Sequence, residues 1–496
     1  MSFLVVSPFV SKLREFEKIR AVNTFATAST TTKLRVVFNG SAKTDSRESL
    51  NDILHAGPKV QTDLVDVILG WRLHAFVFSA DIEKMYRQVL LHPADRGYQR
   101  ILRSEDPQEP PLTYQLNTVT FGLTCAPFQA NRVLRQLAID EGQRFPLAAN
   151  VIPGEFYVDD CLSGAETIEA ARERASQVDK LLSAGGFHLH KWASNCEEVL
   201  SGIEESRCQN LSKIFEEGPM LRALGISWNP VSDAFVLTAR QDAAVTPTLT
   251  KRAILSTVAK LFDPLGWLAP IIIVAKPFLQ SLWRSPLGWD DRLPDNMAAE
   301  WMGFSDFLGS TFMFSIPRWV QTTPSSVVEF HGFSDASESA LVAVVYFRLL
   351  KENLDASTSL LMVKTKVAPL KCVTIARLEL SAAVLLVRLV QRCLSALHLM
   401  EVPVHLWTDS SVALTWISGH PSRWRDFVRN RVSFIQETVP RARWHHVPGH
   451  QNPADVASRE TSPQQLRQHS LWWGGPDWLS SPSPSWPSRL PNLPLE

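Results

Sequence analysis

Between Thr167 and Ala184 the apolar residues Ile168, Ala171, Ala175, Val178, Leu181 and Leu182 recur every three or four positions. That spacing predicts an amphipathic helix packed on a sheet, and Gly185-Gly186 supplies its stop. The same period predicts a helix ending near Gln143, with Phe128, Val133, Leu134 and Leu137 as its stripe, after a glycine-bearing turn at Gly122. Further helices are expected over 250–262 and around Leu378, Ala382, Leu385 and Leu389. Apolar runs too short for helices read as strands: residues 34–38 before the turn Asn39-Gly40, residues 76–78 leading to Asp81, and residues 327–334 and 341–347. Val402, Val404 and Leu406 alternate, as in a strand with one face buried. After Trp228 tryptophan and proline become frequent, and Thr322-Thr323-Pro324-Ser325-Ser326 reads as a linker. From Ser480 the chain is rich in serine and proline and is expected to be disordered.

A chain of 496 residues exceeds one hydrophobic core, so two to four domains are expected. Six cysteines (Cys125, Cys161, Cys196, Cys208, Cys372, Cys393) form no C-x-x-C pair, which argues against a zinc site or a disulfide framework and for a reducing compartment. The start lacks a basic leader, and the longest apolar runs cannot span a bilayer. A soluble intracellular protein is expected, cytoplasmic or nuclear, not secreted and without membrane contact. Formal net charge is zero, but six arginines between Ser422 and Trp444 face only Asp426 and Glu437. That run reads equally as a solvated helix face or as a nucleic-acid surface centred on Arg423 and Arg425.

The candidate chemistry lies in acids at element ends. Tyr157-Val158-Asp159-Asp160 places two carboxylates on a hairpin tip between apolar flanks, and Asp81 closes a strand that can meet it. Three converging acids can hold two Mg²⁺ ions for in-line phosphoryl transfer. An isolated Asp-Asp pair reads more simply as a surface turn. Downstream, Asp335 follows a strand, Glu379 falls in the first turns of a helix, and Asp409 closes the alternating strand with Ser410 able to cap the next helix. Asp455 follows Asn452-Pro453, a helix start with proline at the first position.

In order, Asp81, the turn Phe121-Gly122, Asp159-Asp160, a helix, Gly186, Lys191 and Leu224-Gly225-Ile226 resemble the palm of retroelement reverse transcriptases. The resemblance implies that Asp81, Asp159 and Asp160 are catalytic metal ligands. It implies that Arg35, Tyr86, Phe121, Gly122 and Lys191 bind the incoming nucleotide, with Tyr86 excluding a 2′-hydroxyl. Asp335, Glu379, Asp409 and Asp455 resemble the acids of a retroelement ribonuclease H, again catalytic and metal-binding. His450 resembles that family's mobile histidine, in a loop shorter than in many relatives.

The segment Ala259-Lys260-Leu261-Phe262-Asp263-Pro264-Leu265-Gly266-Trp267-Leu268-Ala269-Pro270, with Trp289-Asp290, resembles pol polyproteins of BEL/Pao long-terminal-repeat retrotransposons. The implied fold is multidomain, α+β and α/β. Partial fingers with a divergent start (1–75) precede a right-hand polymerase palm (76–230), a thumb/connection segment (231–324), a ribonuclease H-like α/β domain (325–465) and a tail, partly disordered (466–496). The implied activity is RNA-directed DNA polymerase with ribonuclease H, using two Mg²⁺ or Mn²⁺ ions per site. Its implied partners are an RNA template, a DNA primer, the RNA–DNA hybrid and dNTPs. No Asp-Thr-Gly or Asp-Ser-Gly peptidase motif and no integrase zinc cluster is present, so those pol activities are not expected of this chain. Asn39 stands where relatives carry Asp, and the fingers are expected to be truncated, which suggests impaired nucleotide binding. The alternatives are a catalytically inactive, transposon-derived remnant that binds nucleic acid, or ribonuclease H activity alone.

Overall fold

The apolar run before Asp81 forms β1 (Phe76–Ile82), the centre of a small antiparallel sheet in the computed structural model. The structure describes residues 23–27, 35–103, 110, 112–209, 221–239, 249–308, 312–350, 356–459 and 461–487. Contacts divide the chain into two units, Met1–Asp63 with Phe76–Lys213, and Leu64–Ala75 with Ile214–Glu496.

In the first unit, α1 (Ala126–Glu141) and α2 (Pro146–Gly154) lead into the hairpin of β2 (Phe156–Tyr157) and β3 (Asp160–Ala165). The next elements are α3 (Ile168–Ala184) and β4 (Leu189–Ser194). Among the described residues the sheet order is β2-β3-β1-β4, with every pairing antiparallel. Thr167 caps α3 by accepting from the Ala170 amide at 3.2 Å, and Gly186 ends the turn at φ +79°. The stripe expected from the sequence is buried: Ala171, Ala175, Val178, Leu181 and Leu182 share one core with Phe78, Ile82, Leu189 and Trp192. Burying Val178, Leu181 and Leu182 contributes about 1.5–3 kcal/mol each.

The second unit begins with the helix Leu64–Trp71, which clusters with sequence distant from it. A four-stranded antiparallel sheet is built from β5 (Leu221–Ala223), β6 (Ile226–Asn229), β7 (Ala234–Ala239) and, after three helices, a late strand. The helices are α4 (Lys251–Lys260), α5 (Ala269–Arg284) and α6 (Asp295–Leu308), and the late strand is β8 (Phe312–Pro317). Arg318, fully buried after β8, grips both carboxylate oxygens of Asp233 at 2.6 and 2.7 Å and donates to the Trp71 carbonyl. Arg72, also buried, donates to the carbonyls of Arg318 and Leu360 and lies over the Trp267 ring. Burial, and then Arg318 nearby, depress its pKa to about 9.

Beyond residue 326 come β9 (Val327–Ala336), β10 (Ala340–Leu350), β11 (Ala356–Val367), α7 (Ile375–Ala396) and β12 (Val404–Thr408). Then follow α8 (Ser411–Ser418), α9 (Asp426–Thr438), β13 (Arg443–His446) and α10 (Pro453–Ser458). Among the described residues these strands form one mixed sheet ordered β11-β10-β9-β12-β13. The two early pairings are antiparallel and the pairings of β12 parallel. The Ser/Pro-rich end, expected to be disordered, is held as far as Trp486. Buried Arg348 donates to the carbonyls of Leu479 and Ser481, and Trp486 stacks edge-on against His405. Residues 488–496 lie outside the described residues.

The Asp263-Pro264-Leu265-Gly266-Trp267 segment is a structural plug. Asp263 accepts from the amides of Trp267 and Leu268 at 3.0 and 2.6 Å, just before α5 begins. Leu265 pairs its carbonyl with the Val363 amide of β11 at 2.8 Å, and the Trp472 indole donates to the Trp267 carbonyl. Gly266 sits at φ +79°, where an added Cβ would fall 2.2 Å from the Val363 carbonyl oxygen. Gly266→Ala is therefore expected to destabilise the protein by about 2–4 kcal/mol, combining left-handed strain with overpacking. Urea unfolding checks this, and an unchanged midpoint would remove the plug's structural role.

Candidate active sites: two carboxylate clusters

Antiparallel pairing of β1 with β3 sets Asp81 opposite Asp160. The two-residue loop Val158-Asp159 presents Asp159 at the tip, and the Ile82 amide donates to the Asp159 carbonyl at 2.8 Å, pinning that tip to the end of β1. Val158 lies at φ +56°, a left-handed conformation that a β-branched residue holds only under constraint. Lys191, at φ +55°, brings Nζ to 3.2 Å from Asp81 Oδ2. Burial, then the nearby Asp159 and Asp81, push Asp160 up to about 7, while Lys191 works the other way. Tyr86 is raised by burial and by Asp159, so its hydroxyl stays protonated beside the cluster.

The second cluster is tighter. Parallel pairing of β9 and β12 places Ser334 opposite Thr408, so Asp335 and Asp409 emerge side by side, and α7 brings Glu379 to them. Oxygens of Asp335, Glu379 and Asp409 all lie within 4.8 Å of one another. The palm trio is not among the groups gathered so closely in the described residues. Burial, then Asp335 and Asp409, push Glu379 up to about 9. Burial likewise raises Asp335 to about 6 and raises Asp409. Asp455, at the start of α10, adds like charge to all three. Its Oδ1 accepts from Arg459 Nε at 2.8 Å.

Glu379 Oε2 is buried with no hydrogen-bond partner among the described residues. A buried carboxyl oxygen left unserved is costly, and a divalent cation would serve it while relieving the repulsion among the three acids. An all-oxygen donor set suits a hard ion such as Mg²⁺ or Mn²⁺. A second gathering, Glu329, His331 and His405, suits a metal poorly. The Trp407 indole donates to His331 Nδ1, which leaves the ring proton on Nε2, facing Glu329, and Arg348 already neutralises Glu329. Burial depresses both histidines to about 4, as in a neutral core network.

Residues 250–410 match the family model described as the Pao retrotransposon-like RNaseH-like domain. Two solved structures of a foamy viral protease-reverse transcriptase align with the chain at TM-score 0.50, one in complex with double-stranded DNA and one with an RNA/DNA hybrid. Identity is 14% and 12%, with 86% of this chain covered in each case, so the likeness is one of fold. Over residues 250–410 the chain is therefore similar to Pao-type retrotransposon proteins. It spans 65% and 50% of the lengths of those two structures. Among curated proteins none matches it in sequence. Its architecture is the multidomain α+β and α/β arrangement of reverse transcriptase and ribonuclease H folds.

The other candidate residues lie elsewhere in the two units. The Phe121 ring packs on Phe38 with centroids 5.3 Å apart, and Gly122 lies at φ +92°, where a Cβ would meet the Phe38 carbonyl at 2.1 Å. Arg35 lies in the strand Arg35–Asn39, and its side chain falls outside the described residues. Asn39 accepts from the Ser41 amide. Arg423 lies over the Trp424 ring, Arg425 precedes α9, and both are exposed. His450 is exposed and lines a cleft with Asp455.

Two residues, Asn51 and Arg459, escaped the sequence reading, and Asn452 was read there only as a helix start. Asn51 bridges the Gly122 carbonyl and the Thr124 amide. Asn452 is fully buried, caps α10 and also holds Ser334 and Asp409. Arg459 sits one turn past Asp455, an i,i+4 spacing that could have flagged it.

Carboxyls whose folded pKa is raised contribute stability below their ordinary value near 4 and lose it as pH climbs through the raised value. In a chelator the melting temperature should therefore fall between pH 6 and pH 9, as Asp160 and Glu379 are forced to ionise. Millimolar Mg²⁺ should shrink that fall, and Glu379→Gln should shrink it without Mg²⁺. Melting curves unmoved by Mg²⁺ at pH 9 would rule the clusters out as cation sites.

Proposed function

We propose that this protein is an RNA-directed DNA polymerase with ribonuclease H activity, using pairs of Mg²⁺ or Mn²⁺ ions at both clusters. The observation that carries the reading is the trio Asp335, Glu379 and Asp409, crowded within 4.8 Å with one buried oxygen unserved. Asp81, Asp159 and Asp160 would hold the ions of the polymerase site; Asp335, Glu379, Asp409 and Asp455 would hold those of the nuclease site. Bound there, the ions would activate an attacking oxygen and offset charge on the leaving one.

The chain's own groups do the rest. At neutral pH Glu379, pushed up to about 9, keeps its proton and Asp160, pushed up to about 7, is partly protonated; both would have to ionise to hold a cation. Lys191 pairs with Asp81 and would meet the phosphates of a dNTP. Tyr86, half-buried next to Asp159, offers its ring to the sugar of the incoming nucleotide and so favours deoxynucleotides. Phe121 and Gly122 form the turn under the nascent pair, with Arg35 on the triphosphate. Asn452, tied to Ser334 and Asp409, holds the nuclease acids in register. The template RNA, primer DNA and resulting hybrid would reach the nuclease along Arg423 and Arg425. A nuclease-only reading draws on one contrast, the tighter gathering of the nuclease acids beside Asn39 in place of Asp.

Asp159→Asn is expected to lower primer extension on poly(rA)/oligo(dT) at least a hundredfold, on the order of losing one preorganised electrostatic group, while sparing hybrid cleavage. Asp409→Asn should do the reverse. Loss of both activities from either change would mean misfolding, and wild-type protein that cuts but never extends would leave the nuclease alone. If Arg423 and Arg425 touch the hybrid backbone, changing both to Ala should reduce the salt dependence of hybrid binding by about two contacts' worth. An unchanged slope removes them from that surface.

A further inference from the structure

Beside Asp455 lies a cleft of about 390 Å³, lined also by Gly449 and Asn452. Its wall carries Arg459, His450, His469, Gln465 and Thr461, with Asp455 as its acidic lining residue. This makes a donor-rich hollow next to an otherwise anionic centre. Such a centre repels a polyanionic strand, so something nearby has to receive the backbone as it enters. Arg459 is the charged group best placed to do so. Its side chain is 78% exposed, and its Nε pairs with Asp455 Oδ1 at 2.8 Å.

We propose that this cleft seats a backbone phosphate of the cleaved strand adjacent to the scissile one, and that Arg459 swings from Asp455 to that phosphate when the hybrid binds. The inference rests on the nuclease reading given above. An exposed pair of this kind contributes little, so exchanging it is cheap. A guanidinium fork on a phosphate gains two charge-assisted hydrogen bonds in place of one. The exchange also frees Asp455 for a cation at the moment the substrate arrives. Arg459 acts here as a positioning residue; Gln465, His450 and His469 supply further donors to the same phosphate.

The test uses the full chain and three proteins, wild type, Arg459→Gln and Arg459→Lys, with folding checked by thermal melting. Hybrid affinity is read in Ca²⁺ by fluorescence anisotropy, on substrates carrying one neutral methylphosphonate walked across three positions either side of the cut. Arg459→Gln should weaken binding about tenfold and lower the salt slope by about one. Arg459→Lys should recover part of the loss. One methylphosphonate position should weaken wild type but not Arg459→Gln, the non-additivity expected of two groups in contact. In Mg²⁺ the same variant should raise KM with kcat within twofold, and Mn²⁺ affinity read by electron paramagnetic resonance should be equal or tighter.

Unchanged hybrid affinity, or methylphosphonate effects that add at every position, overturns the proposal and leaves Arg459 as a helix staple for Asp455. Failure of the nuclease reading looks different. Wild type would then bind the hybrid without cutting it, and the anisotropy arm would still decide the role of Arg459.

Discussion

Crowded negative charge is the constraint on which both candidate sites depend. Carboxylates a few ångströms apart in half-buried surroundings repel one another, and an isolated chain relieves that only by holding protons or recruiting cations. Asp160 and Glu379 are pushed toward neutrality by burial first and by their acidic neighbours second. Nothing in the local helices or strands asks for such an arrangement, and a core of the same shape would be more stable without it. Rigid pairing keeps the acids together against their repulsion. In one site it is the antiparallel register of Asp81 with Asp160; in the other, the parallel register that ends β9 and β12 side by side.

Basic side chains temper each cluster from its rim. Lys191 reaches Asp81, and Arg459 reaches Asp455. Both contacts are solvent-exposed at the cationic end, so they are weak enough to be displaced by a divalent ion or a phosphate. The palm pays for its geometry in backbone strain as well, with Val158 and Lys191 both in the left-handed region. Non-glycine residues held there mark a hairpin tip and a strand shaped by the position of their side chains rather than by local preference.

The acidic residue in the Asp-Pro-Leu-Gly-Trp segment serves a different end. Asp263 is buried and raised to about 6, yet amides of Leu268, Trp267 and Gly266 occupy its oxygens. Its work is to start α5 and to hold Leu265, Gly266 and Trp267 against β11 and Trp472. In consequence the segment after the palm and the ribonuclease H-like sheet share one set of contacts.

The order of the acids, the stripe of α3, the cap at Ser410, the helix start at Asn452-Pro453 and the alternation along β12 were legible in the sequence, because each is a local property of a few residues and their spacing. So was the family resemblance, which rests on short runs. Tertiary structure alone decided the rest. It set which acids come within one cation's reach, since register and helix placement are not encoded in spacing. It raised Glu379 far above its ordinary value, since burial is a property of the whole neighbourhood. It folded the helix Leu64–Trp71 in with residues some 250 positions away, through buried Arg72 and Arg318, which composition would have left on the surface. It also drew the Ser/Pro-rich end onto the sheet through Arg348 and Trp486, because two carbonyl-seeking arginine nitrogens and a stack of aromatic rings outweigh a local preference for disorder.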